Sequence, residues 1–198
     1  MRGVSQLSLF SADARPAALT DLAGLLCGPG QIVRFGAGDQ ARLSIVLADA
    51  DRAPAARAAL AAAGVAVQAV VTESGATALR TAFRCDLADL ARAWTRGAVK
   101  AVPSEWQLDG PALRLWALTA GAPDGRGGYL LGLDPHAPHT HQALVAAATR
   151  AGLPPARVAG ALRISGTRRM ARLVELVGPA PDRMPASTWP RYRGRTAC

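Results

Sequence analysis

Cysteine, lysine, aromatic residues and acid are all scarce in this chain of 198 residues. The three cysteines, Cys27, Cys85 and Cys198, are odd in number and form no Cys-x-x-Cys pair, so neither a disulfide framework nor a zinc ribbon is supported. No uninterrupted apolar run reaches the roughly 18 residues that a membrane-spanning helix needs. The first residues lack the basic-then-apolar pattern of a secretory leader, and a reducing cytoplasm is the expected location. No Ser-His-Asp order, Gly-x-Gly-x-x-Gly loop or Walker pattern is present. Acid is outnumbered 14 to 23 by base, for a net charge of +9. The imbalance is concentrated in residues 100–198, with 13 basic and 6 acidic residues against 10 and 8 in residues 1–99. A basic half favours a polyanion partner, most simply nucleic acid. Because Lys100 is the only lysine while Ala and Arg abound, a GC-rich genome is a competing source of the arginines.

What is abundant is alanine in helical stretches, punctuated by glycine. Pro16 to Cys27 reads as a helix stopped by Gly28-Pro29-Gly30, with Pro16 suited to its first turn. Gln31–Phe35 and Arg42–Ala48 read as strands around the turn Gly36-Ala37-Gly38-Asp39. Arg52 to Ala63 is an Ala-rich helix closed by Gly64. Val65–Val71 and Thr77–Arg84 form a second hairpin, and Leu87 to Trp94 a closing helix with Asp86 as a candidate N-cap. After a connector the order returns in shortened form. Helices are expected at Ala112–Ala122, Thr140–Ala151 and Arg168–Val177, with strands at Tyr129–Leu133 and Arg163–Ser165.

Two correspondences point to internal duplication. Leu22-Ala23-Gly24-Leu25-Leu26-Cys27-Gly28-Pro29-Gly30 has a counterpart ending in Ala117-Leu118-Thr119-Ala120-Gly121-Ala122-Pro123-Asp124-Gly125, so that Gly30 and Gly125 match 95 positions apart. The middle helices match as Ala58–Val65 against Ala146–Leu153. The expected fold class is α+β, with tandem pseudo-two-fold αββαββα repeats, the second abbreviated. The expected divisions are a flexible tail (1–15), a first repeat (16–94), a linker (95–110), a second repeat (111–178) and a basic flexible tail (179–198).

The Leu-Ala-Gly-Leu-Leu helix with its Gly-x-Gly ending, followed by two such units in one chain, resembles the LAGLIDADG homing-endonuclease fold over residues 16–178. The resemblance implies a saddle in which two motif helices pack at the centre, through Ala23 and Gly24 on one and Ala117 and Ala120 on the other. It implies that the hairpins form a concave floor along the DNA major groove. The last acidic residue of each motif would hold catalytic divalent metal. Here the first such position is Pro29, which cannot ligate, and only Asp124 is matched in the second. One carboxylate cannot replace the pair that grips metal between attacking and leaving oxygens. The chain is similar in this to LAGLIDADG-derived sporulation regulators of Gram-positive bacteria, which keep the saddle without cleavage.

Candidate DNA contacts are Arg34, Arg42, Arg80 and Arg84 in the first half, with Gln68 beside them, and Arg126, Arg157, Arg163, Arg168, Arg169 and Arg172 in the second. Arginine pairs with phosphate or reads guanine edges. Trp106, Trp116 and Trp189 are candidates for stacking on bases, Trp116 being more suited to the core. His136, His139 and His141 lie close together but lack an accompanying carboxylate cluster or cysteine pair, so no metal or other cofactor is expected.

In the N-terminal segment, Gln6-Leu7-Ser8-Leu9-Phe10 resembles the linear motif by which bacterial proteins dock on the β sliding clamp. That resemblance implies that Gln6 fills a polar pocket while Leu9 and Phe10, supported by Leu7, fill an apolar cleft. The competing role for this segment is an added edge strand. The expected function is a non-catalytic DNA-binding protein, monomeric through its internal pseudo-dimer, in the bacterial cytoplasm at the nucleoid, and an accessory to replication or repair. Two alternatives stay open: a metal-dependent nicking endonuclease using Asp124, and a protein-interaction adaptor.

Overall fold

The computed structural model describes residues 11–192. Helix α1 (Ala23–Cys27) follows a 3-10 turn at Leu19–Leu22. Then come β1 (Gln31–Phe35), β2 (Gln40–Val46), α2 (Ala53–Ala62), β3 (Gln68–Val71), β4 (Thr77–Arg80) and α3 (Ala88–Trp94). A small hairpin of β5 (Thr95–Arg96) and β6 (Val99–Lys100) leads onward. The second half contains α4 (Gly110–Ala120), β7 (Gly121–Pro123), β8 (Tyr129–Gly132), α5 (His141–Arg150), β9 (Ala156–Val158), β10 (Ala161–Ile164) and α6 (Thr167–Val177). The strands form two antiparallel sheets with orders β1-β2-β4-β3 and β7-β8-β10-β9. The identical order, with helices at matching places, makes the chain two copies of one αββαββα unit.

The second copy is shorter in its strands but not in its element count. β7 occupies residues expected to finish a helix, and β9 was not expected at all. Each has three residues and no alternating apolar pattern, Gly-Ala-Pro and Ala-Arg-Val, so neither carries the period-two signal of a half-buried strand. The expected first helix is also shorter, because Ala18 is extended and its N–H is bonded at 2.8 Å by the Asp21 carboxylate, which starts the chain turning only there.

Alternation on β2 explains how the first sheet is covered. Ala41, Leu43 and Ile45 are buried, as are Ile32 on β1 and Leu79 on β4, while their neighbours face outward. Between the sheets lie α1 and α4, which run side by side in the same direction. Gly24 meets Ala112 near their starts, and Gly28 meets Trp116 and Ala120 near their ends. A Cβ on Gly24 would stand 2.8 Å from the Ala112 carbonyl carbon and 3.0 Å from its Cα. The approach is thus backbone to backbone, which only glycine permits. Of the four residues expected in this seam, Gly24 and Ala120 lie in it; Ala23 and Ala117 are buried, and the Ala117 carbonyl turns toward Arg52.

Two segments expected to be free tails are held down where they are described. Ser11 is buried and Ala12 donates to the Leu176 carbonyl at 2.8 Å. Beyond α6, Met184 and Trp189 are buried, the Trp189 indole donates to the Gly178 carbonyl at 3.0 Å, and the Tyr129 hydroxyl donates to the Thr188 carbonyl at 3.0 Å. The composition of that stretch is rich in Pro and Arg, but two large apolar anchors decide its course. Among the described residues no helix is long and apolar enough to cross a membrane.

Candidate nucleic-acid interface

The outward face of the first sheet is set by register. One row crosses all four strands as Gln31, Ser44, Arg80 and Gln68. The next pairs Val33 with Arg42, and the last Phe35 with Gln40. On the other side lies a row of Val46, Ala78 and Val70. No strand residue of this face is acidic. Arg42 and Arg80 have no ion-pair partner among the described residues, whereas Arg84 is tied to Asp86 at 2.5 Å. Arg34 is exposed near the end of β1, in the register of the covered side.

Past Arg80 the pairing slips. Thr81 donates to the Leu43 carbonyl at 2.9 Å, but the next bridge joins Arg84 to Ala41. Arg42 therefore faces two residues, Ala82 and Phe83, in the manner of a β-bulge. The extra residue places Phe83 with its ring 4.7 Å from the Arg42 guanidinium and 5.0 Å from the Phe35 ring.

The tips of the two central helices are the second feature. α1 ends at Cys27 and α4 at Ala120, so Pro29 and Ala122 stand at like places two residues beyond. Neither can ligate a metal. The Cys27 thiol is wholly buried, and burial pushes its pKa up, which keeps it un-ionised. Each tip is instead met by a buried cation. The Lys100 ammonium donates to the Gly28 carbonyl at 2.9 Å and to Asp134 at 2.6 Å. The Arg52 guanidinium donates to the carbonyls of Leu118 at 3.1 Å and Gly121 at 2.7 Å. Cations at helix C-termini complement the partial negative charge of the unsatisfied carbonyls. Burial pulls the Lys100 ammonium below its ordinary pKa. Burial works to raise the Asp134 carboxyl, but Lys100, the His136 N–H and the Gln31 amide together hold it below the usual carboxylate range.

The three histidines serve this same cluster. His139 bonds the Lys100 carbonyl at 2.7 Å through Nε2 and His141 bonds the Asp134 carbonyl at 2.9 Å, while His136 is exposed. Among the described residues no group of three or more His, Cys, Asp or Glu side chains is placed to hold a metal ion.

Asp124 is not at a helix tip. It lies past β7 in the hairpin turn, where its carboxylate accepts from the N–H groups of Arg126 and Gly128, each at 2.7 Å, and from Arg163 Nε at 2.6 Å. Burial opposes ionisation, and the two N–H groups and Arg163 outweigh it, holding the carboxyl below its usual value. The match of Gly30 with Gly125 is therefore corrected: the helix ends lie 93 positions apart, Cys27 with Ala120. The outward face of the second sheet carries Ala122, Leu130, Gly132, Ala161 and this neutralised Arg163.

In sequence the chain matches no protein-family model and no curated protein. In structure it is similar to the homing endonuclease I-WcaI bound to its DNA recognition sequence, with a TM-score of 0.58 and 10% identity, over 79% of this chain and 78% of that one. The chain has a homing-endonuclease-like fold. Within that fold a metal centre between the helix tips does not suit this chain, since glycine, proline, alanine and two cations stand where carboxylates would be required.

The predicted arginines divide. Arg42 and Arg80 share the open face of the first sheet. Arg163 lies on the second sheet but is engaged by Asp124. Arg168, Arg169 and Arg172 ride on α6, which packs its apolar side against α4, whereas Arg163 lies on β10. Of these, Arg169 donates to the Pro154 carbonyl and Arg172 pairs with Glu175. Arg126 is exposed in the Asp124 turn and Arg157 on the edge strand β9. Trp116 and Trp189 are buried and offer no stacking surface, while Trp106 is partly buried and packs edge-on against Trp94 at 5.0 Å. Sequence reasoning missed Phe35, Phe83, Arg52 and the Lys100–Asp134 pair. Alternation along β1 and β2 was enough to place Phe35 beside Arg42; nothing local announces the other three.

Proposed function

We propose that this protein binds DNA without cutting it. The observation that carries the non-catalytic part is the pair of buried cations, Lys100 and Arg52, at helix tips that bear no carboxylate. The one carboxylate near the tips, Asp134, is already paired with Lys100, which leaves no set of free ligands for a divalent metal there. Support for DNA comes from the homing-endonuclease-like fold together with the unpaired Arg42 and Arg80 on an outward sheet face free of acid. Such cations release counterions from phosphate, so affinity should fall steeply with salt. The test is a gel shift at two salt concentrations. Arg42→Ala and Arg80→Ala should each lower the salt slope by about one, and magnesium should produce no nicking. Salt-independent binding, or a nick, would overturn the reading.

The finer part of the proposal is recruitment to the β sliding clamp of a bacterial replisome, by a chain that works as a monomer in the cytoplasm. The motif Gln6, Leu7, Leu9 and Phe10 lies outside the described residues. The chain is anchored from Ser11 onward, which fixes the point from which such a peptide would be presented. Capture on immobilised clamp tests it: a Leu9→Ala, Phe10→Ala double variant captured as well as the intact chain would discard it.

A further inference from the structure

The two outward sheet faces are chemically unlike, and the difference bears on the form in which DNA is held. A duplex lying along both halves needs donors and cations on both. The second face has only small and apolar residues and an arginine already bonded by Asp124. The first face has arginines without an ion-pair partner, two amides in Gln40 and Gln68 (that of Gln31 being bonded to Asp134), and exposed apolar surface. Phe35 is 61% exposed, with Val33 also exposed two residues before it on the same face. Apolar side chains at a surface this well supplied with cations need a ligand that is itself partly apolar.

We infer that the first sheet binds an unpaired DNA strand, with a base stacked on the Phe35–Phe83 platform. This rests on the DNA-binding reading above and specifies the ligand of that site. Stacked duplex offers a protein only base edges and phosphates, whereas an unpaired strand offers base faces. Three observations converge on such a base. The bulge at Ala82–Phe83 turns Phe83 out beside Arg42. The Phe35 ring stands 5.0 Å away from it, tilted and largely exposed. Next to them Arg42, Gln68, Val70, Arg80 and Phe83 line a recess of about 420 Å³, within the range of small-ligand clefts. In that recess Gln68 can bond a base edge, and the two guanidiniums can meet the flanking phosphates.

The test measures fluorescence anisotropy of the full chain with a labelled oligothymidylate and with a duplex of mixed sequence. A parallel measurement follows 2-aminopurine emission in a single strand, which reports stacking directly. Binding to the single strand should be about tenfold tighter than to the duplex, with quenching of 2-aminopurine. Phe35→Ala and Phe83→Ala should each weaken the single strand by roughly five- to a hundredfold and leave the duplex unchanged, while Phe83→Tyr retains binding. Phe35 is exposed enough that its variant should fold normally, which thermal unfolding checks. Duplex preference, or single-strand affinity indifferent to Phe35→Ala, sinks the unpaired-strand inference while DNA binding stands. No binding to either ligand removes the DNA reading itself, and salt-independent capture of other proteins by this face would replace it with a protein partner.

Discussion

Gly24→Ala puts the helix seam to the test. In an isolated helix this change gains about 1 kcal/mol, because glycine is the poorer helix former. Here the new methyl would stand 2.8 Å from the carbonyl carbon of Ala112, where ordinary contact begins at 3.4 Å, and would lie against its oxygen as well. The obstacle is backbone, so no rotamer change relieves it; α1 and α4 must separate by about 1 Å. A gap of that size forfeits a quarter to a half of the dispersion attraction of the atoms lining it, and overpacking of well-filled cores costs about 1–3 kcal/mol, occasionally more. The seam is buried along its length, with Leu25, Leu113 and Trp116 around it. A backbone obstacle belongs at the upper end of that range, so the expected net loss is up to about 2 kcal/mol after the helix gain is subtracted. Urea unfolding would show it as a midpoint lowered by about 1 M at unchanged slope. Ala112→Gly should not rescue the variant, since the blocking atoms are main-chain ones. A midpoint unchanged or raised by Gly24→Ala would refute the close approach, and with it the two-repeat architecture as the source of stability.

Lys100→Met should cost about 3–5 kcal/mol in urea unfolding by leaving Asp134 buried and uncompensated, and Lys100→Met with Asp134→Leu should recover much of that loss. Stability should fall in acid: Asp124 and Asp134 both have depressed folded pKa values, so their contribution is present above about pH 4 and is lost as pH falls through the lower folded values. Asp124→Asn should flatten that acid dependence in a CD titration and, by releasing Arg163, raise DNA affinity a few-fold; a loss of affinity would contradict the assignment of Asp124 as a neutralising partner. Pro29→Asp with Ala122→Asp should not create magnesium-dependent nicking of plasmid, because the new carboxylates would meet Lys100 and Arg52 rather than metal.

Legibility followed the range of the forces involved. β2 and α2 were readable because Ala41, Leu43 and Ile45 alternate and because Ala-rich turns end at Gly64, signals complete within a few residues. The likeness of α2 to α5 carried the duplication. β7 and β9 escaped because three-residue strands contain less than two periods of any pattern. Asp124 was placed at a helix tip on the strength of a following glycine. Its position was decided by bonds to Gly128, four residues away, and to Arg163, 39 away, which spacing does not encode. Phe83 depends on a one-residue slip in pairing with β2, a tertiary event. Lys100 stood out as the only lysine yet fell in a connector read as linker, when its aliphatic stem and ammonium are in fact threaded into the core.

The helix pair explains why a cation at each tip is not incidental. Two helices packed in the same direction bring like ends together, amide N–H groups at one end and carbonyls at the other. At the start Asp21 and Asp109 sit by the N-termini, Asp109 accepting from the Ala112 N–H at 3.0 Å, and Arg15 bridges the two acids at 2.5 and 3.0 Å. At the far end two sets of carbonyls converge, and the carboxylate near them, Asp134, is offset by Lys100. Lys100, paired with Asp134, and Arg52 donate to those carbonyls from within the chain. The carbonyl ends are thus satisfied by the chain's own cations, while glycine brings the backbones into contact nearer the helix starts, at Gly24 and Ala112. The two cations complete the end of the helix pair that holds both sheets in place.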